Sequence, residues 1–199
     1  MKHYLLAHGF GFTNDYWNNL IPLLDGNVYY LDTKNLDSQQ EYIGIGHSFG
    51  FLQLNNSKFQ FSHLIGLQSF LNFCGNNPHL RKVIEPQLNK IIENYNLNAN
   101  STLKNFYEIC GYAGTIPKNI SQKILNSELE MMKKSYAHCG VKTLIIGIKN
   151  DSVVSEEVIM DNFSGIHGVT IKILDLNVNH TLGFHHSEIV ADEIDQFIC

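Results

Sequence analysis

A chain of 199 residues with 44% apolar and 17% charged side chains is globular rather than disordered, and long enough for one domain with a sizeable core. No apolar run approaches the roughly 20 residues of a membrane span, and Cys74, Cys110, Cys139 and Cys199 show neither C-x-x-C nor disulfide-like spacing, which points to reduced thiols in a cytoplasm. The net charge of −5 is uneven: residues 75–138 hold eight basic and five acidic side chains, the remainder six and fourteen, so a cationic segment sits in an anionic protein.

Lys2 to Ala7 reads as a short apolar strand, its apolar part too short for a signal peptide. It runs into the glycine-flanked loop His8-Gly9-Phe10-Gly11, whose backbone N–H groups should be exposed. A helix is expected from about Asn14, with Trp17, Leu20 and Leu24 on one face. Asn27–Leu31 is a second strand and Tyr42–Ile45 a third. The third runs into Gly46-His47-Ser48-Phe49-Gly50 and then helical residues with Phe51, Leu52 and Leu54. His63–Gln68 is a fourth strand. Strand and helix in alternation predict the α/β class, with a mostly parallel sheet flanked by helices and binding at one edge.

Residues 75–138 break that alternation. They predict three or four amphipathic helices: one starting at Pro86 with Leu88, Ile91, Ile92 and Tyr95 inward, one capped by Ser101 with Leu103, Phe106, Tyr107 and Cys110, and one after Pro117 with Ile120, Ile124, Leu125, Leu129 and Met132. Such an insertion is placed to roof the sheet edge. The expected organisation is therefore a core of residues 1–74 and 139–199 with a helical cap, 75–138. The sheet resumes with a strand at Lys142–Ile148, leading to Lys149-Asn150-Asp151. A helix capped by Ser155 follows, then a last strand at Thr170–Leu176, then Asn177-Val178-Asn179-His180 and a closing helix from about Ser187 to Ile198. About six strands result.

The G-x-S-x-G string carries the chemistry. A sharp strand-to-helix turn needs the smallest residues two before and two after the serine. Ser48, Asp151 and His180 then each follow a strand of one sheet, in the order Ser, Asp, His. A serine hydroxyl needs an imidazole to take its proton, and the imidazole needs a carboxylate to fix its tautomer. The oxyanion formed on attack would be received by the N–H groups of Phe49 and Phe10. His185 and His186 compete with His180 but fall at the start of the last helix, so chain order favours His180. Asp175 competes with Asp151 but lies within a strand. His8, His47 and Cys74 read as packed neighbours of the site. Phe70, Phe73, Phe106 and Tyr107 are equally core or acyl-pocket candidates. The ten histidines are scattered without an H-E-x-x-H or paired-cysteine signature, so no metal and no cofactor are expected.

On these residues the chain resembles the α/β-hydrolase superfamily over nearly its whole length. More narrowly it is similar to the BioH-type pimeloyl-[acyl carrier protein] methyl ester carboxylesterases of biotin synthesis. Its marks are His8-Gly9-Phe10-Gly11 for their H-G-W-G loop, Phe73-Cys74 for their Phe-Cys pair, the cap, and Thr102-Leu103-Lys104-Asn105-Phe106 for a cap stretch that places an aromatic at the acyl channel. The resemblance implies a cytoplasmic serine esterase that removes a methyl group from a pimeloyl chain on acyl carrier protein. Arg81, Lys133 and Lys134 would offer the charged patch for that carrier. A monomer is expected, with neither nucleic acid nor membrane as partner. Departures from the family are Phe10 for Trp, Phe51 where a second glycine often follows the elbow, and a chain that begins directly at the H-G strand without the first hairpin. Two other readings are a general short-chain carboxylesterase or thioesterase with the same triad, and a non-catalytic binding protein of this fold.

Overall fold

The computed structural model describes residues 1–114, 116 and 122–199. Among these, six strands form one parallel sheet: β1 (Lys2–Ala7), β2 (Gly26–Tyr30), β3 (Glu41–His47), β4 (Gln60–Leu67), β5 (Thr143–Ile148) and β6 (Val169–Leu174), in the order β2-β1-β3-β4-β5-β6. From β1 the chain leaves toward β2, and from β3 it leaves the other way toward β4. The carboxyl ends of β1 and β3 therefore flank a topological switch point, where open α/β sheets form a crevice.

The sheet is covered on both faces, as parallel sheets are. Along β1, Leu5 and Ala7 join one core with Phe51, Leu52, Ile145 and Phe163, while Tyr4 and Leu6 join the other with Trp17, Leu20, Ile146 and Ile194. α1 (Phe49–Asn55) and α5 (Glu156–Phe163) supply the first face; α7 (Ser187–Ile198) closes the second. β5, T-L-I-I-G-I, is buried at every position, which explains its unbroken apolar run. Ser155 caps α5, its hydroxyl accepting from Val158 N–H at 3.3 Å.

Between β4 and β5 come α2 (Pro78–Leu97), α3 (Ala99–Cys110) and α4 (Gln122–Met132). Pro86 does not start α2 but lies inside it, on the exposed side. Asn77 and Pro78 open the helix instead: the Asn77 side chain accepts from His79 N–H at 2.8 Å and Pro78 needs no donor partner at the first position. Ser101 likewise does not cap α3. Asn98 does, three residues earlier, accepting from Ser101 N–H at 3.0 Å. The expected start of the next helix at Pro117 and Ile120 lies outside the described residues. The helix expected from Asn14 is two single 3₁₀ turns, Asn14–Trp17 and Ile21–Leu23, with Tyr16, Leu20 and Leu23 donating to Thr13, Trp17 and Leu20. Pro22, lacking an N–H, prevents a continuous α ladder there. Among the described residues, no helix is long and apolar enough to cross a membrane.

Candidate active site

The site forms at the switch point. β3 ends at His47, Ser48 turns the chain with φ of +52°, and α1 begins at Phe49. A left-handed serine is uncommon and costs backbone energy. Neighbouring contacts hold it: Ser48 N–H donates to Leu67 O at 2.9 Å. Both flanking glycines are required by space. A Cβ on Gly46 would stand 2.3 Å from Phe51 Cα, and one on Gly50 would stand 2.1 Å from the Ala7 carbonyl oxygen. The turn thus presses α1 against the end of β1 and brings Ser48 beside the His8–Gly11 loop.

Asp151 follows β5 and His180 follows β6, and the structure brings them together. His180 Nδ1 lies 2.8 Å from Asp151 Oδ2, both side chains fully buried. Asp151 Oδ1 accepts from the N–H groups of Val153 at 2.7 Å and Val154 at 3.0 Å. A carboxylate only accepts, so His180 carries its proton on Nδ1 and presents a bare Nε2. Among the described residues that Nε2 is buried and has no hydrogen-bond partner. The His180 ring sits 4.8 Å from the His47 ring, immediately beside Ser48 in sequence. His47 donates from Nε2 to the His180 carbonyl at 3.1 Å and stacks on Tyr16 at 4.2 Å. Burial, reinforced by His180, holds the His47 imidazole well below the usual histidine range, so it stays neutral. His8 is also pushed down by burial, its Nδ1 3.0 Å from Gly9 O. Among the described residues, the N–H groups of Phe10 and Phe49 have no acceptor, leaving two backbone donors at the crevice between β1 and β3.

The rivals lie elsewhere. Asp175 is exposed and pairs with Lys149 at 3.2 Å. His185 belongs to the short α6 (Leu182–His185) and contacts the Gly111 carbonyl, and His186 precedes α7. Burial raises the Cys74 thiol above its usual value, which keeps it protonated.

No family model matches the sequence, and no curated protein matches it. Solved structures do. An esterase from Exiguobacterium antarcticum superposes with a TM-score of 0.74 at 15% identity, covering 100% of this chain and 92% of that one. A lipase-esterase related protein from Clostridium acetobutylicum gives 0.69 at 16% identity, covering 98% and 94%. Carboxylesterase CesB from Bacillus subtilis gives 0.64 at 12%, covering 100% and 84%. The chain has the α/β-hydrolase fold.

Above the α/β-hydrolase elbow lies a narrow apolar cavity of about 40 Å³, lined by Ser48, Phe10, Phe73, Phe106 and Met132 among others. Phe73 and Phe106 both line it. Tyr107 does not line the cavity. It is turned toward the loop after β1, where its hydroxyl donates to Gly11 O at 2.5 Å and its ring stacks on Phe12. Adjacent helical residues point about 100° apart, so Phe106 and Tyr107 could not both face the cavity. The far wall is held by Asn162, whose Oδ1 accepts from Leu71 and Asn72 N–H at 2.7 and 2.6 Å, fixing the segment with Phe70 and Phe73. Arg81 reaches Ser135 Oγ at 3.4 Å, Lys133 pairs with Glu130 at 3.1 Å, and Lys134 is exposed. Among the described residues no His, Cys, Asp and Glu cluster could hold a metal ion.

Gln68 and Asn179 were not anticipated. Gln68 follows β4 with φ of +50° and is fully buried. Asn179 accepts from Ser152 N–H at 2.8 Å and donates to Ile109 O at 2.5 Å. Both act through hydrogen bonds between distant loops, which no local sequence pattern encodes.

Proposed function

We propose that this chain is a serine hydrolase of carboxylic esters, working through an acyl-enzyme. The observation that carries the reading is the His180 imidazole, tied by Nδ1 to Asp151, its ring 4.8 Å from that of His47, the residue before the elbow serine, and its buried Nε2 bonded to no described residue, Ser48 included. Ser48 Oγ attacks the ester carbonyl while Nε2 takes its proton. Asp151 steadies the imidazolium that results. The oxyanion accepts from the N–H groups of Phe10 and Phe49, which have no acceptor of their own among the described residues. The tetrahedral species collapses, the alcohol leaves with the proton from Nε2, and an acyl-Ser48 remains. Water then repeats the sequence and releases the acid. Labelling of the wild type by a fluorophosphonate probe, lost in Ser48→Ala, tests this; an unlabelled, folded wild type would overturn it.

The finer reading takes the substrate as the methyl ester of a pimeloyl chain carried on acyl carrier protein in the cytoplasm. An apolar cavity beside Ser48 and the surface basic residues Arg81, Lys133 and Lys134 support it. Rescue of a biotin-requiring strain lacking its esterase, by wild type but not Ser48→Ala, is the expected result. Reversing the three cations to Glu should lower activity on the carrier-bound ester and spare free esters. A general short-chain esterase is the second reading. It is favoured by the cavity volume of about 40 Å³, room for only a few waters. Turnover of short p-nitrophenyl esters without rescue would select it.

A further inference from the structure

We infer that Gln68 is a positioning residue for the Asp151–His180 pair, holding the acid and the histidine loop in one register. Its effect on catalysis rests on the hydrolase reading above. The side chain is fully buried, and each of its polar atoms is used. Nε2 donates to Asp151 Oδ2 at 2.5 Å and to the Asn179 carbonyl at 2.7 Å, and Oε1 accepts from Leu182 N–H at 2.8 Å. Two acceptors and one donor admit only this orientation of the amide. One side chain therefore grips the carboxylate and the backbone on both sides of His180.

The backbone is bent to allow it. Gln68 has φ of +50°, unfavourable for a residue with a long side chain. Its N–H still donates to Ile146 O at 2.7 Å, continuing the β4–β5 ladder. The strained turn at the end of β4 sends the side chain across β5 toward the loop after β6. Asp151 Oδ2 then accepts from two donors, His180 Nδ1 and Gln68 Nε2, while Oδ1 serves Val153 and Val154. A donor on the oxygen that faces the imidazole withdraws negative charge from it. Gln68 thereby shares the carboxylate oxygen that His180 Nδ1 faces and fixes its direction.

Two variants separate positioning from simple structural support. Gln68→Met fills similar volume without donors. Gln68→Glu keeps an acceptor for Leu182 N–H but replaces the amide donor with a carboxylate beside Asp151, and it serves if the Met variant does not fold. Expected in both are a higher-pH titration of His180, followed through its Nδ1 proton resonance, and an upward shift of the acid limb of kcat/KM. The kcat should fall between about tenfold and hundredfold, with KM within about twofold because Gln68 touches no acyl group. Folded variants with unchanged His180 titration and unchanged kcat/KM overturn the proposal. If the wild type is not labelled by fluorophosphonate, the hydrolase reading falls, and the resonance titration still decides whether Gln68 sets the pair.

Discussion

The Tyr107 hydroxyl donates to the Gly11 carbonyl at 2.5 Å, joining α3 to the loop that carries Phe10. The same helix end is tied to the opposite side of the site: Asn179 Nδ2 donates to Ile109 O at 2.5 Å and Thr181 Oγ1 to Cys110 O at 3.4 Å. His180 lies between those two donors. The inserted helix thus spans from one proposed oxyanion donor to the proposed base, and the loops on either side share its position.

Removing one end of that span should be felt in the chemistry. Tyr107→Phe keeps the stacking on Phe12 and leaves the Gly11 carbonyl without its partner. A buried acceptor left unpaired costs about 1–3 kcal/mol. Loosening of the Phe10 N–H should lower kcat by about tenfold or more, since a lost oxyanion donor costs a hundredfold or more. Ester kinetics with thermal unfolding on the same samples checks both effects. Unchanged kcat would show that the loop holds itself.

The elbow predicts a failure to fold rather than a loss of rate. Gly50→Ala places a methyl 2.1 Å from the Ala7 carbonyl, where backbone on both sides leaves no route of escape. Soluble expression and a cooperative unfolding transition should both be lost. Gly140→Ala makes a useful comparison, because nothing lies within 4 Å of the added carbon and only its positive φ of 83° is strained. That variant should fold, destabilised by roughly 1–2 kcal/mol.

Those glycines also explain why so much was legible in advance. The parallel sheet, the elbow and the ordering of Ser48, Asp151 and His180 are written in local strings, where spacing, period and glycine placement carry the signal. What was missed has another character. Pro86 inside α2 and Asn98 before α3 each mark a choice between two plausible helix starts, settled by which cap side chain reaches an N–H. The 3₁₀ turns at Asn14–Trp17 and Ile21–Leu23 carry the same inward Trp17 and Leu20 as an α-helix would, so periodicity could not separate them. Gln68 and Tyr107 work through partners at least 83 residues away, a distance over which sequence pattern is silent.

The proposed acyl slot should be tunable at its α4 wall. Met132 and Leu129 from α4 close a cavity of about 40 Å³ above Ser48. Met132→Ala opens that wall without touching the elbow or the His180 loop. The preferred p-nitrophenyl ester should lengthen by several carbons, with kcat/KM for acetate falling less than tenfold. The variant should also lose about 2–5 kcal/mol of stability from the cavity it leaves. A chain-length series on wild type and variant checks the shift. An unchanged profile would place the acyl group elsewhere.

Glu128 offers a pH test that is separate from catalysis. It is half-buried on α4, and burial pushes its carboxyl up to about 7. Its charge lies near Tyr95 of α2. In the unfolded chain the group loses its proton near 4.5, whereas folded it keeps the proton to about 7. Between those values the folded state binds more protons, so stability falls as pH rises through this window and is lowest above it. Glu128→Gln removes the charge and keeps the shape. Its advantage over wild type should be near zero at pH 4, grow through pH 5–7 and level off by pH 8, reaching about 3 kcal/mol, or roughly 6–12 °C in Tm. Histidines act in the opposite sense: the buried His47 and the half-buried His8, His63 and His138 are all pushed down by desolvation, so their contribution is lost as pH falls below about 6.5. Both proteins share those histidines, and the difference between their melting curves isolates Glu128. A gap independent of pH would mean that the carboxyl is solvated in the folded protein and titrates as an ordinary surface acid.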